Sequence, residues 1–113
     1  MKKEITWEEF ENIEIRVGTI LEVEDFPEAR KPAYKLTIDL GEEVGVKRSS
    51  AQITKIYGKD DLVGKQVLCV CNFPQKQIGT FFSEVLTMGF ILDNGEVILA
   101  SAERSVPNGT LLR

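Results

Sequence analysis

Histidine is absent from the 113 residues. That removes the commonest general base near neutral pH and the commonest protein ligand for transition metals. Cysteine is scarce as well, with only Cys69 and Cys71. At i and i+2 on a strand the two thiols point the same way, and two thiolates fall short of the four ligands of a structural zinc site. Both read as inert thiols in or near a core, so no metal and no cofactor is expected. The glycine patterns of phosphate loops and dinucleotide folds are missing. No apolar run approaches the ~20 residues that span a bilayer, so membrane insertion is not expected. The start, Met1-Lys2-Lys3-Glu4, leads into acidic residues rather than into a signal peptide's apolar segment, which places the chain in the cytoplasm. Catalytic groups are equally hard to assemble. Asp60-Asp61 reads as a solvated loop, and Ser49-Ser50 has no base beside it. No enzymatic activity and no catalytic residue is expected.

What is present describes an ordinary globular chain: 42% hydrophobic and 28% charged residues, in a length that suits one domain spanning 1–113. The net charge of −4 and a pI near 4.9 argue against a general polyanion binder, whose affinity rests on cationic neutralisation of phosphates. The charge is uneven, however. Residues 1–28 carry three cations (Lys2, Lys3, Arg16) against nine acids, whereas Ala29-Arg30-Lys31-Pro32-Ala33-Tyr34-Lys35 carries three cations and no acid. A local basic face on an acidic body is therefore open.

Thr6-Trp7-Glu8-Glu9 has the spacing of a capping box and predicts a short helix over 6–11, with Trp7 and Phe10 on one face. Ile13 to Glu24 alternates with period two: Ile13, Ile15, Val17, Leu21 and Val23 share one side, Glu14, Arg16, Glu22 and Glu24 the other. Gly18 marks a bend or bulge within this long strand. A loop with two prolines follows, then Tyr34 to Leu40 alternates again, with Tyr34, Leu36, Ile38 and Leu40 inward. Gly41–Gly45 turns the chain into a third strand, Val46–Ser50. Ser49 or Ser50 reads as the cap of a short helix to about Tyr57, stopped by Gly58. Lys59–Gly64 reads as a loop with one helical turn. Gln66–Cys71 is a fourth strand and Val85–Leu92 a fifth. Asp93-Asn94-Gly95-Glu96 supplies a type I′ hairpin signal, Val97–Ala100 pairs back, and Val106–Thr110 is a closing turn. Three strands, a short helix, then strands is the order of an all-β, five-stranded oligonucleotide/oligosaccharide-binding (OB-fold) barrel with N- and C-terminal extensions. Another small barrel with a capping helix has the same periodicity.

Several residue groups have two open readings. Lys47-Arg48-Ser49-Ser50 is either a solvated strand end or a set of cations and hydroxyls for phosphates. Arg30, Lys31 and Lys35 are a solvated loop or a phosphate clamp. Asn72 and Ser83 cap turns or bond to bases. Phe81-Phe82, in the otherwise polar segment from Asn72 to Glu84, either closes a core or faces a partner.

Arg16-Val17-Gly18, Phe26-Pro27-Glu28-Ala29, Ser50-Ala51-Gln52-Ile53, Gly64-Lys65, Asn72-Phe73-Pro74 and Ser83-Glu84 closely resemble the tRNA-binding domain family. Such domains are appended to methionyl-tRNA synthetases and to the bacterial phenylalanyl-tRNA synthetase β subunit. Within that family the chain resembles the stand-alone CsaA secretion chaperones. Asp25 to Ala33, Ser49 to Lys55, Asn72-Phe73-Pro74 and Val106-Pro107-Asn108-Gly109-Thr110 are the most specific stretches.

The resemblance implies one tRNA-binding-type OB domain over 1–113, with a helical extension at 1–12 and a hairpin and tail at 93–113 that serve dimerisation. It implies a homodimer without catalysis that binds tRNA and unfolded export precursors (preproteins), with the export machinery as a further partner. The alternative function is a stand-alone tRNA-binding protein that uses a basic barrel face. The family's RNA pattern falls on Arg16, Lys47, Arg48, Ser50, Asn72, Ser83 and Glu84, to which Arg30, Lys31, Lys35 and Lys76 add cations. Val85-Leu86 stand where RNA-binding relatives carry Gly-Met, and Thr80 replaces a glycine, while Phe81 and Phe82 favour apolar ligands. A peptide groove is expected along Phe26, Tyr34, Phe73, Phe81 and Phe82, with Asn72, Lys76 and Gln77 at its rim. Trp7, Phe10, Leu111 and Leu112 lie on extensions outside a small core and are expected to form a twofold contact.

Overall fold

A capping box opens the first element: Thr6 Oγ1 accepts from the Glu9 amide at 3.0 Å, and the Glu9 carboxylate accepts from the Thr6 amide at 2.9 Å. The resulting helix α1, Trp7–Glu11, buries none of its residues. The computed structural model describes residues 1–113. Ten strands follow, most of them short, with two further helical turns. In chain order these are β1 (Ile15–Asp25), β2 (Tyr34–Asp39), α2 (Gly41–Val44), β3 (Val46–Ala51), α3 (Lys59–Leu62), β4 (Gln66–Val70), β5 (Lys76–Ile78), β6 (Phe81–Ser83), β7 (Leu86–Thr87), β8 (Gly89–Ile91), β9 (Val97–Leu99) and β10 (Leu111–Leu112).

The main sheet runs β3-β2-β1-β4-β7, with β10 added along the start of β1. Its ends meet. Thr87 on β7 donates its hydroxyl to Ser49 Oγ on β3 at 2.8 Å, and the Glu84 amide donates to the Arg48 carbonyl at 2.8 Å. Five strands thus make a nearly closed barrel of the OB type. Ile20, Leu36, Ile38, Leu40, Leu62, Val67 and Cys69 fill it and are wholly excluded from solvent. Phe26, Ala33 and Phe81 form a second, smaller apolar cluster.

The parity of β1 differs from the expectation. The main core takes Ile20, while Leu21 is exposed, and the pairing with β2 shifts register between Ile20 and Glu22. One inserted residue there moves the following side chains to the other face. Ile15 and Val17 are buried outside the main cluster, and Ile13 lies exposed ahead of the strand. Gly18 is not the bulge. It lets β2 approach, since a Cβ there would sit 2.6 Å from Ile38 Cγ2 and 2.9 Å from the Asp39 carbonyl oxygen.

The helix expected over 50–57 does not form. Ala51 still belongs to β3, Ile53 enters the core, and Tyr57 is held by its own bonds. Its hydroxyl accepts from the Leu99 amide at 3.1 Å, and its carbonyl accepts from the Tyr34 hydroxyl at 2.8 Å. A helix of two turns is marginal without help from its surroundings, and here tertiary bonds favour an irregular path. The helical turn between the third and fourth strands comes later, with Gly58 as the N-cap of α3 rather than a stop signal.

The strand expected over 85–92 is divided between β7 in the barrel and β8 in a separate hairpin with β9. That hairpin exists, but its turn is not type I′. Gly95 alone has positive φ (+86°), and the Leu92 amide bonds to the Glu96 carbonyl across a three-residue loop. The hairpin β5–β6 was not expected. Its two-residue loop puts Gly79 at φ +62° in the first position.

Candidate binding surfaces

Two surfaces carry the sequence candidates. The first is the outward face of β1–β3. Leu36 and Ile38 point inward, so Lys35 and Thr37 point out. Register places Glu24 opposite Lys35, Lys35 opposite Ser50, and Thr37 opposite Arg48. The Arg48 guanidinium lies 4.8 Å from the Phe81 ring centroid, and Lys35 Nζ lies 5.4 Å from that of Phe26. The two rings meet edge-on at 5.2 Å. This is an aromatic pair with a cation over each ring.

Ser83 and Glu84 finish the barrel. The Ser83 hydroxyl accepts from the Ser50 amide at 3.0 Å, and the Glu84 carboxylate accepts from the Arg48 amide at 3.0 Å. Two side chains thereby satisfy backbone donors along the free edge of β3, where a neighbouring strand would supply carbonyls. Glu84 also sits 3.8 Å from Lys47 Nζ.

The second surface is a groove of about 1160 Å³. Ala51, Ile53, Ile78, Val85, Met88 and Val97 give it an apolar lining, Phe73 and Pro74 stand along it, and Lys31, Lys55 and Lys76 contribute cations.

The candidate RNA residues divide between these surfaces and the interior. Lys35, Lys47, Arg48, Ser50, Ser83 and Glu84 come together at the β3 edge. Lys31 and Lys76 lie along the groove, which also reaches Ser50, Ser83 and Glu84. Arg30 is exposed on the loop between β1 and β2. Arg16, in the interior, and Asn72, which is exposed, are both taken up by intramolecular bonds. Arg16 is buried, donating to Glu14 at 2.8 Å, to Glu43 at 3.2 Å and to the Gly109 carbonyl at 2.9 Å, and the Glu14 carboxylate raises its pKa. Asn72 accepts from the Glu14 amide at 3.0 Å and donates to the Asn12 carbonyl at 2.7 Å, tying the N-terminal extension to the end of β4.

The five aromatic residues do not line one groove. Phe26 and Phe81 are core, Tyr34 rests against the main cluster, Phe73 stands on the large groove, and Phe82 is exposed at a separate cavity. Gln77 is exposed on β5.

At the chain ends Trp7 is 69% exposed, Leu111 and Leu112 are exposed, and Phe10 is partly covered by Trp7 at 5.8 Å. Sequence reasoning missed that Phe90, Ile91 and Ile98 on the β8–β9 hairpin are exposed too. Their apolar run reads as a buried strand because periodicity cannot tell a core from an uncovered apolar face.

No group of three or more His, Cys, Asp or Glu residues is arranged to hold a metal ion. No helix is long and apolar enough to cross a membrane. Burial pushes the Cys69 thiol up to about 12 and, more moderately, raises that of Cys71. Since the thiolate is the nucleophile, Cys69 is expected to resist alkylation by iodoacetamide at pH 8 in the native protein and to react once it is unfolded. Mass spectrometry of digests reads this directly, and rapid native labelling of Cys69 would contradict it.

Residues 15–111 match the family described as "Putative tRNA binding domain". Among curated proteins, methionine–tRNA ligase 1 of Bacillus anthracis is 37% identical over 98% of this chain and 16% of its own length. The methionine–tRNA ligase of Methanococcus maripaludis strain C5 is 41% identical over 89% and 15%. The chain therefore spans about a sixth of those enzymes. Among solved structures, the chaperone CsaA of Bacillus anthracis superposes with a TM-score of 0.92 at 44% identity, covering 98% of this chain and all of that one. The CsaA chaperone of Picrophilus torridus gives 0.91 at 49% identity, covering 97% and 100%.

Proposed function

The chain belongs to the tRNA-binding domain family, and on that premise we propose that it is a non-enzymatic, cytoplasmic chaperone of the CsaA type that captures extended segments of unfolded export precursors and also binds tRNA. The groove carries the first half of this reading. Its volume of about 1160 Å³, apolar lining and exposed Phe73 suit apolar side chains of varied sequence. Similarity over the whole length of two CsaA chaperones supports the same reading. Lysines along the groove suit a polypeptide whose apolar stretch is flanked by acids.

A specific observation favours RNA as the other ligand. Lys35 and Arg48 share the outward barrel face, and Lys47 stands next to Arg48 along the β3 edge, 3.8 Å from Glu84, in a protein whose net charge is −4. The candidate dimer surface is the exposed set Trp7, Leu111 and Leu112, joined by Ile5 and Ile13. A twofold contact through these residues would cover apolar area on both chain ends.

The deciding experiment measures binding of total tRNA and of an unfolded precursor to one sample at two salt concentrations. The tRNA affinity should fall with salt, with a log–log slope of about 0.7–0.9 per phosphate neutralised. Precursor capture should persist, because apolar contact is not screened. Replacing Lys47 and Arg48 by alanine should flatten the tRNA slope by about 1–2. A slope unaltered by that double change would leave the two residues as a solvated strand end. Precursor binding lost in parallel with tRNA would remove the groove as a separate site.

A further inference from the structure

Two cations and two phenyl rings converge, beside Glu84, at a cavity of about 280 Å³ on the outward barrel face, which meets the large groove at Glu84. Lys35 and Arg48 both lie over the Phe81 ring, 6.0 and 4.8 Å from its centroid. Arg48 Nη2 is held by Glu24 at 2.6 Å, whereas its Nε–H is buried with no acceptor. Lys35 forms no ion pair. Phe81 is committed to packing, but its neighbour Phe82 lines the same cavity with 47% of its surface open.

An apolar side chain placed here would desolvate two cations and still leave an unmet N–H, which is costly. A phosphate suits the two cations that face the cavity. Its oxygens accept from a guanidinium fork and an ammonium together, and an open aromatic ring beside it offers a stacking face to a base. Bases within an RNA duplex are already stacked, so the nucleotide must be unpaired.

We infer that this cavity is a subsite for one unpaired nucleotide of an RNA strand, with its phosphate between Lys35 and Arg48 and its base on Phe82. Glu24 holds Arg48 when no RNA is bound. The inference rests on the RNA reading above and narrows it to a single-stranded stretch. It also moves Phe82 from the peptide groove to the RNA site.

Glu24 supplies a test of sign. Its carboxylate competes with phosphate for Arg48, so Glu24→Gln should tighten RNA binding, by about two- to fivefold for a partly exposed pair. The probes are an eight-residue oligouridylate, an RNA duplex and total tRNA, each titrated by fluorescence anisotropy. Phe82→Ala should weaken octamer binding by about tenfold, leaving its salt slope and the duplex affinity unchanged. Lys35→Ala should weaken it and lower the slope by about 0.7.

The subsite is overturned if wild-type protein binds tRNA but not the octamer. It is equally overturned if the octamer binds with undiminished affinity to Phe82→Ala, or if Glu24→Gln leaves binding unchanged or weaker. A wild-type protein that binds no tRNA even at low salt is a different result, which removes the RNA reading and the subsite with it. Thermal unfolding of each variant shows that affinity was measured on folded protein.

Discussion

Phe81→Ala is expected to destabilise the protein by about 3 kcal/mol, while Phe82→Ala stays within about 0.5 kcal/mol of the parent. The two rings are neighbours in sequence, yet strand alternation sends them to different environments. Phe81 is 6% exposed, meets Phe26 edge-on at 5.2 Å and lies beneath the guanidinium of Arg48. Truncating it leaves a void between Phe26 and Ala33 and takes away the ring beneath the Arg48 guanidinium. The estimate sits at the low end of the usual cost of truncating a core phenylalanine, because a cluster of three buried residues can partly collapse. Urea midpoints at unchanged m-value would measure both effects. Equal losses for the two variants would mean that Phe82 packs as Phe81 does, and an unmoved midpoint for Phe81→Ala would remove the second core.

Gly109→Ala is expected to cost about 2–4 kcal/mol and to release the C-terminal strand. Gly109 has φ +90°, a region that a Cβ disfavours, and a Cβ there would lie 2.7 Å from the Leu40 carbonyl oxygen. Its counterpart Gly41, at φ +88°, would put a Cβ 2.5 Å from the Asn108 carbonyl oxygen. Backbone faces backbone with no room between, so the closing turn must move as a whole. It would give up the bond from the Gly109 amide to the Val17 carbonyl at 2.8 Å, that from the Val17 amide to the Thr110 carbonyl at 3.1 Å, and the buried Arg16 contact. Leu111 and Leu112 would then lose their pairing to β1. In the dimer proposed here the sedimentation coefficient should fall toward that of a monomer, at concentrations where the parent is dimeric. A variant that sediments and unfolds like the parent would detach the turn from both roles.

Alternation in Tyr34–Leu40 and the apolar run of Gln66–Cys71 were enough to locate two barrel strands, and the capping box located α1. In each case the local pattern and the tertiary environment agree. The failures share a cause. The helix expected over 50–57 rests on its cap and stop residues, but Ile53 and Tyr57 are held by distant partners, the core and Leu99, which no local window contains. Leu21 shares its parity with Val23, yet Ile20 takes the core position before it, and only the pairing with β2 reveals the bulge that returns Val23 to the core side. At the candidate sites, residue type led to the basic edge at Lys47-Arg48. Type could not say that Arg16 and Asn72 spend their donors internally, because their partners lie at Gly109 and Asn12.

The side chains of Ser83 and Glu84 bear on how a chaperone of the kind proposed above would survive its own ligands. An open strand edge is a template on which any extended chain can add itself, residue after residue, into a growing sheet. A molecule that meets unfolded polypeptide repeatedly would be seeded by it. Along β3 the amides of Arg48 and Ser50 are already capped by a carboxylate and a hydroxyl. An incoming strand finds donors that are taken and a negative charge in the place where its own carbonyls would go. The contact that closes the barrel therefore also insulates it, and in the chaperone proposed above it would leave side-chain grooves rather than backbone pairing as the means of holding a client, so that what is captured could be let go.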